Sequence, residues 1–338
     1  MIRNGTIRDE NTIRNEKPGR KILKPDREIP KTTRKYKDRQ DNKDDKKERE
    51  NTAGEKTKMP GTLYLCATPI GNLGDITLRV LDTLREADLI AAEDTRNTLR
   101  LLNHFEIKKP MTSYHEHNKY EKARELLDRL HRGENIALVT DAGTPAISDP
   151  GEVLAALCIE EGIRVTSLPG ACALITALTM SGMSARRFCF EGFLPSEKKE
   201  RKRILDQLKD EERTTILYEA PHHLRATLAE LAETLGSRRI TLCRELTKRF
   251  EEAMPLTLPE AVRYYEENEP RGEYVLVIEG ADPARLIEKK QAVFEEMPLE
   301  EHMQQYLDQG LSQKEAMRRV AADRGLSRRD IYQRLKVK

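Results

Sequence analysis

Ile136-Ala-Leu-Val-Thr-Asp-Ala-Gly-Thr-Pro-Ala-Ile-Ser-Asp-Pro-Gly151 is a four-residue apolar segment that runs directly into a loop dense in Gly, Pro and Asp. A short apolar run bounded by turn residues predicts a strand buried on both faces. The same pattern recurs along the chain. Leu63-Tyr-Leu-Cys-Ala67 leads into Thr68-Pro-Ile-Gly-Asn-Leu-Gly-Asp75, and Leu89-Ile-Ala-Ala92 leads into Ala92-Glu-Asp-Thr-Arg96. Ile163-Arg-Val165 is followed by Leu168-Pro-Gly170. Between them, residues 77–88 and 119–132 have helical period. Strands alternating with helices predict a parallel α/β sheet. In such sheets ligands bind at the carboxyl ends of the strands, where these loops gather. The chain reads as an enzyme.

Beyond residue 182 the texture changes. Phe188-Cys-Phe-Glu-Gly-Phe-Leu194, Thr214-Thr-Ile-Leu-Tyr218, Arg239-Ile-Thr-Leu-Cys243 and Glu273-Tyr-Val-Leu-Val-Ile-Glu279 predict four further strands. Helices are expected near 197–209, 222–235 and 259–268, which makes a second α/β domain with a mixed sheet. A buried helix is expected over Ala171–Met180, and Ala281–Pro298 reads as a charged connector. The last forty residues read as three helices: Leu299–Gln309, one capped by Ser312 and running to Asp323, and one capped by Ser327 that carries Ile331, Tyr332 and Leu335. Two readings of this module stand side by side: a helix-turn-helix, or a packing cap with solvated arginines. The expected domains are a basic extension over 1–58, an α/β domain over 59–182, a second over 183–281, and the helical module over 290–338.

Whole-chain net charge is +2, but it is unevenly spread. Residues 1–58 hold 19 Lys/Arg against 12 Asp/Glu, and residues 311–338 hold nine against three, so the middle is acidic. Basic ends on an acidic middle fit a polyanionic partner; solvated charged tails are the plainer reading. Residues 1–58 contain too few large apolar side chains to offset the entropy of ordering and are expected to be disordered. They are either a tail that touches RNA or a dispensable segment ahead of a start at Met59. The five cysteines are scattered, with no Cys-x-x-Cys pair, and the histidines have no ligand spacing, so no metal site is expected. Neither a membrane span nor a signal peptide is visible, and a reducing cytoplasm is the expected location.

The loops carry the chemistry. Gly71-Asn-Leu-Gly74 lets backbone approach a ligand closely, but it has neither the dinucleotide spacing Gly-x-Gly-x-x-Gly nor a phosphate-loop Gly-Lys-Ser/Thr. Residues 140–151 fix an unusual backbone path. Asp141, at the strand end, is the expected ligand contact, while Asp149 before Pro150 is expected to begin a turn. In Ala92-Glu-Asp-Thr-Arg96, Glu93 and Asp94 are adjacent carboxylates at a strand end, followed by Arg96, and such a set is costly unless it serves a partner. An Asp94–Arg96 pair that merely organises the loop is the structural alternative. Glu245 and Lys248 read as a salt bridge between packed elements.

Taken with Glu191-Gly-Phe-Leu-Pro195, Tyr218-Glu-Ala-Pro-His222 and Arg244-Glu-Leu-Thr-Lys248, these runs resemble the tetrapyrrole-methylase superfamily. Within it the chain is most similar to the ribosomal RNA small subunit methyltransferase I family, over about residues 61–338. The resemblance implies two α/β domains with S-adenosyl-L-methionine in the cleft between them. It also implies 2′-O-methylation of a cytidine in small-subunit ribosomal RNA, and a homodimer; for that chemistry Glu93 or Asp94 would accept the proton of the ribose hydroxyl and Arg96 would meet a phosphate. By motif, cofactor contacts fall on Ile70 and Gly71, on Ala142, Gly143, Thr144 and Ile147, on Cys172 and Ala173, and on backbone at Glu219 and Leu246; Asp141 joins them from its strand-end position. Tetrapyrrole enzymes carry Pro where Ile70 stands and Gly-Gly-Asp-Pro in place of Ala142-Gly-Thr-Pro145, which points away from a porphyrinoid substrate. A methyltransferase acting on a corrin precursor and a non-catalytic ribosome-assembly protein are the competing functions. The basic C-terminal helices speak against the first, and the intact cofactor loops against the second.

Overall fold

The computed structural model of this protein describes residues 59–295 and 297–336, and the strands of these described residues form two five-stranded sheets. The extension expected to be disordered, residues 1–58, lies outside the described residues. The first sheet contains β1 (Thr62–Cys66), β2 (Leu89–Ala92), β3 (Met111–Ser113), β4 (Ile136–Val139) and β5 (Arg164–Leu168). It is parallel throughout, in the order β3-β2-β4-β1-β5. Its connecting helices are α1 (Leu78–Glu86), α2 (Thr95–His104), α3 (Lys119–His131) and α4 (Glu152–Glu160).

The apolar runs behave as fully covered strands. All four residues of β2 and of β4 are buried. Successive side chains in a strand face opposite ways, and here they enter two different cores. Leu89, Ala91, Ile136 and Leu138 pack with Leu126, Leu130 and Leu154 on the α3–α4 side. Ile90, Ala92, Ala137 and Val139 pack with Val80, Leu84 and Leu102 on the α1–α2 side. The connections leaving β1 and β4 therefore run over opposite faces, and the loops that open them meet at the sheet's carboxyl edge.

Next in the chain, α5 (Ala173–Ser181) begins just past Pro169-Gly170. Its residues Leu174, Ala177 and Leu178 pack against Ile216, Cys243, Val275 and Val277 of the second sheet. That sheet contains β6 (Phe188–Phe193), β7 (Thr214–Glu219), β8 (Arg239–Arg244), β9 (Glu252–Thr257) and β10 (Tyr274–Ile278). Its order is β6-β7-β10-β8-β9; β6 and β7 are parallel and the other pairs antiparallel. Helices α6 (Lys198–Leu208), α7 (Pro221–Leu235) and α8 (Leu258–Glu267) cover the face opposite α5.

The expected mixed sheet thus gains a fifth strand. Pro255 hides β9 from a pattern search, because proline cannot donate to a ladder; β9 accommodates it at the sheet edge. The short β3 escapes for lack of length. The expected charged connector is largely helix, α9 (Pro283–Glu295). Its Ala, Arg, Leu, Glu, Lys and Gln are strong helix formers, and charge alone says nothing against a helix.

The C-terminal module comprises α10 (Leu299–Asp308), α11 (Gln313–Asp323) and α12 (Arg328–Lys336). Ser312 caps α11 and exchanges bonds with Glu315. Ser327 and Asp330 make the matching arrangement at the start of α12. A small core of Met303, Ala316, Val320, Ala321 and Ile331 holds the three helices together. Beside it, buried His302 stacks on Phe294 of α9 with ring centroids 4.2 Å apart and accepts a 3.1 Å hydrogen bond from Arg324 Nε at Nδ1.

Gly170 ends β5 against β1 so closely that a Cβ there would lie 2.6 Å from the Cβ of Ala67. Gly170→Ala is expected to destabilise the protein by about 1–3 kcal/mol, as overpacking does. Adding Ala67→Gly should recover much of that loss. Chemical denaturation of both single variants and the double variant measures this coupling, and purely additive effects would show that the approach is not limiting.

Candidate active site

The loops after β1 and β4 are stitched together at the carboxyl edge of the first sheet. Thr68 N–H donates to Gly143 O (2.8 Å), Gly143 N–H donates to Thr68 O (3.1 Å), and Thr68 Oγ1 donates to Thr140 O (3.1 Å). Gly143 holds φ at +86°, a conformation that favours glycine. Two residues without that freedom, Ala146 (φ +68°) and Ser148 (φ +62°), are also left-handed in the same loop. Across from it, Glu245 (φ +48°) and Thr247 (φ +65°) share the conformation. Each such residue costs on the order of 1–2 kcal/mol, and such strain concentrates at functional sites.

Between these strained loops lies a cavity of about 310 Å³, within the roughly 300–1,000 Å³ typical of small-molecule sites. Its walls come from both α/β layers. Ile70, Ala142, Gly143, Thr144 and Ile147 approach from the first sheet, and Cys172 and Ala173 from the entry to α5. Glu219 and Leu246 close it from the second sheet. The Glu219 carboxylate faces elsewhere: it accepts from Ala220 N–H and from the buried Thr227 hydroxyl, which leaves backbone to line the cavity. Gly71 lines a neighbouring cavity of about 260 Å³ with Thr68, Asn97, Arg100 and Thr140, and Asp141 borders both spaces.

Glu93, Asp141 and Asp149 place three carboxylates on the main cavity. The first two are interlocked. Asp141 N–H donates to Glu93 Oε2 (3.2 Å), and Asp94 N–H donates to Asp141 Oδ1 (3.2 Å). Asn97 Nδ2 adds a 3.0 Å bond to Asp141 Oδ2. Burial raises the Glu93 carboxyl above its ordinary range, partly offset by the bond from Asp141 N–H. Burial, followed by the fields of Glu93 and Asp141, pushes Asp149 up to about 7. Asp149 is thus more than the start of a turn, the role expected for it.

Glu93, Asp94 and Arg96 separate into two roles. Glu93 reaches the cavity, whereas Asp94 and Arg96 are not among its lining residues. Asp94 caps α2 by accepting from Arg96 N–H (2.8 Å), and its carboxylate also takes Arg96 Nε (3.1 Å) and Nη2 (2.7 Å). These bonds from Arg96 hold Asp94 down at about 2. Arg96 remains 85% exposed. Glu245 and Lys248 pair at 3.0 Å within one loop, three residues apart, and not as the bridge between packed elements that was expected; Glu273 lies 3.5 Å from the same ammonium, and all three line the cavity.

Sequence reasoning passed over Ser148, Phe193 and Tyr218 as cavity residues. Phe193 and Tyr218 lie within motif runs, but nothing in the pattern tells which way a side chain turns near a strand end. No cluster of His, Cys, Asp and Glu among the described residues is suited to a metal ion. No described helix is long and apolar enough to cross a membrane.

Residues 62–262 match the tetrapyrrole (corrin/porphyrin) methylases. The ribosomal RNA small subunit methyltransferase I of Synechocystis sp. is 50% identical over 274 residues, covering 81% of this chain and 96% of that protein. The protein of the same name from Halalkalibacterium halodurans is 49% identical over 272 residues, covering 80% and 93%. Among solved structures, the methyltransferase CobJ aligns at a TM-score of 0.51 with 17% identity, over 65% of this chain and 95% of that one, a likeness of fold. With its two sheets, its stitched strand-end loops and identity of this extent, the chain belongs to the tetrapyrrole methylases and, within them, to the ribosomal RNA small subunit methyltransferase I family.

Proposed function

We propose that this protein transfers a methyl group from S-adenosyl-L-methionine to the ribose 2′-oxygen of a cytidine in small-subunit ribosomal RNA. The reading rests above all on one observation: a cavity of small-molecule size, lined by residues of both layers, also carries carboxylates raised in pKa. The ribosomal substrate follows the name shared by relatives that are half identical over nearly their whole length. Bound there, S-adenosyl-L-methionine supplies a methyl on a positively charged sulfur.

The site suits that molecule. Ile70, Leu246 and Val275 give an apolar wall for an aromatic ring, and Glu93, Asp141 and Asp149 offer compensation for positive charge. Buried Thr140 Oγ1 and Thr247 Oγ1, at the Gly71 side, have no hydrogen-bond partner within the protein. Buried hydroxyls of this kind are costly unless something satisfies them.

Methyl transfer is an in-line displacement, so positioning contributes much of the rate. The ribose hydroxyl gives up its proton as the new C–O bond forms. Asp149 or Glu93 accepts it, since both are in the cavity and both are drawn toward the operating pH, where a general base is most effective. Asp94 fixes the start of α2 and presents Arg96 to an RNA phosphate. Arg318, Arg319, Arg328 and Arg329 of the C-terminal module are exposed and free to meet further phosphates, and the basic charge of this end supports the RNA-binding reading. The protein works in the cytoplasm, where its RNA is made, and as a homodimer.

Glu93→Gln and Asp149→Asn should separate the roles. The variant that removes the proton acceptor is expected to lose about 10²–10⁴-fold in single-turnover methylation while calorimetry still shows cofactor binding. Wild-type turnover in both would remove carboxylates from the chemistry.

The raised Asp149 has a consequence for stability. Between its ordinary value near 3.8 and about 7 the folded protein holds a proton that the unfolded chain releases. Its contribution is therefore full below the ordinary value and is lost as pH rises toward 7. Asp149→Asn should flatten the fall in stability over that window, read from denaturant melts at a series of pH values.

Arg318→Gln combined with Arg319→Gln should lower the salt dependence of RNA binding. Each lost phosphate contact is worth a log–log slope of roughly 0.7–0.9. An unchanged slope in filter binding would return these helices to a packing role.

A further inference from the structure

Phe193 breaks the alternation of its strand. β6 pairs with β7 as Phe188↔Thr214, Cys189↔Thr215 and Phe190↔Ile216, then skips a residue and resumes as Gly192↔Leu217 and Phe193↔Tyr218. Glu191 is the extra residue of a β-bulge, and Gly192 follows it with φ at +64°. Residues directly paired across strands point to the same face. Phe190 therefore shares the face of Ile216, and Phe193 shares that of Tyr218. Without the bulge, Phe190 and Phe193, three positions apart, would point to opposite faces. The bulge turns Phe193 out of the α6–α8 side and onto the cavity side, as bulges beside active sites often re-aim a side chain.

The ring is left open there. Phe193 lines the cavity and is 55% exposed. Tyr218 supports it edge-on, with centroids 5.6 Å apart and planes at 65°. Tyr218 is itself fixed by Phe190 on another side (4.9 Å) and by Leu174 N–H, which donates to its hydroxyl at 3.2 Å. A large apolar ring left half in solvent gains only part of what full burial would give. It is the aromatic side chain that both lines the cavity and stands more than half exposed.

Its neighbours identify the side of the site to which it belongs. A Cβ on Gly192 would sit 3.4 Å from Ser148 Oγ, in the residue next to Asp149. Tyr218 also lies within the field of Asp149, one of the factors that, after burial, raises its hydroxyl to about 12. Phe193 thus lies on the side of the cavity that holds Ser148 and Asp149, one of the two carboxylates proposed above to take the substrate's proton. A nucleotide whose 2′-hydroxyl reaches that carboxylate carries its base on the adjacent carbon of the same ribose.

We propose that Phe193 is a stacking platform for the base of the cytidine being methylated, holding it unstacked from its RNA neighbours so that its ribose enters the cavity. The proposal rests on the function proposed above and adds the subsite for the nucleobase. Proteins that read single-stranded RNA commonly splay bases onto exposed aromatic rings. A stacked base is worth about 1–3 kcal/mol, equivalent to roughly 5- to 150-fold in affinity.

The test compares wild type with Phe193→Ala, Phe193→Leu and Phe193→Tyr. Steady-state methylation of a small-subunit ribosomal RNA transcript gives KM and kcat, calorimetry gives cofactor affinity, and a thermal melt checks folding. The Ala and Leu variants are expected to raise KM for RNA by roughly 5- to 150-fold, with cofactor affinity and melting temperature unchanged, and the Tyr variant to behave like wild type. Loss of cofactor affinity in Phe193→Ala would assign the ring to the cofactor instead and overturn the proposal. So would a Leu variant equal to wild type, which would make the ring a plain apolar cover, or an unchanged KM in Phe193→Ala. A wild-type enzyme that binds cofactor but leaves the transcript unmethylated would instead refute the proposed substrate, and the nucleobase subsite with it.

Discussion

Everything at the site hangs on the pair of backbone hydrogen bonds between Thr68 and Gly143. They join the exits of β1 and β4, two neighbouring central strands whose chains then depart over opposite faces of the sheet. Without that stitch the two loops would be free ends at a sheet edge. With it, the left-handed turn at Gly143 is held against Ile70, and the path from Thr140 to Gly151 has little freedom left. The strained residues Ala146 and Ser148 persist because this frame over-determines them.

The electrostatics of the cavity oppose stability. Three carboxylates converge where burial already disfavours charge, and Asp149 responds by holding a proton near neutral pH. Nearby, Asp94 shows the opposite treatment, satisfied by Arg96 and kept ionised. Adjacent acidic residues in one strand-end loop, Glu93 and Asp94, have thus been driven to different protonation behaviour by environment alone. Such divergence among neighbouring titratable groups is a mark of functional sites.

Much of this was legible in the sequence. Covered strands such as Ile136–Val139 declare themselves by continuous apolar character, and Gly/Pro/Asp loops mark their carboxyl ends, so the parallel sheet and the location of the cleft follow from pattern. The elements that escaped have physical reasons. β9 contains Pro255, β3 is three residues long, and α9 looks like a linker because its helix formers are charged. Within the site, the separation of Glu93 from Asp94 was not legible, because it depends on which carboxylate Arg96 captures. Nor was the turn of Phe193, since a bulge is a property of the pairing between two strands and leaves no periodic trace in one of them.

The passage from β5 to α5 serves two masters at once. Pro169 through Cys172 leaves the first sheet, supplies part of the cavity wall, and delivers α5 to the face of the second sheet. The distance spanned is set at one end by the contact of Gly170 with Ala67 and at the other by the packing of Leu174 and Ala177. The length of this connector is therefore as constrained as any side chain in the site. A residue inserted here would shift the wall and the helix registry together, whereas the turns at Gly162 and Gly310, with nothing packed near the glycine, have room to vary. Over evolutionary time, length polymorphism in this family should accumulate at such turns and be purged from residues 169–172.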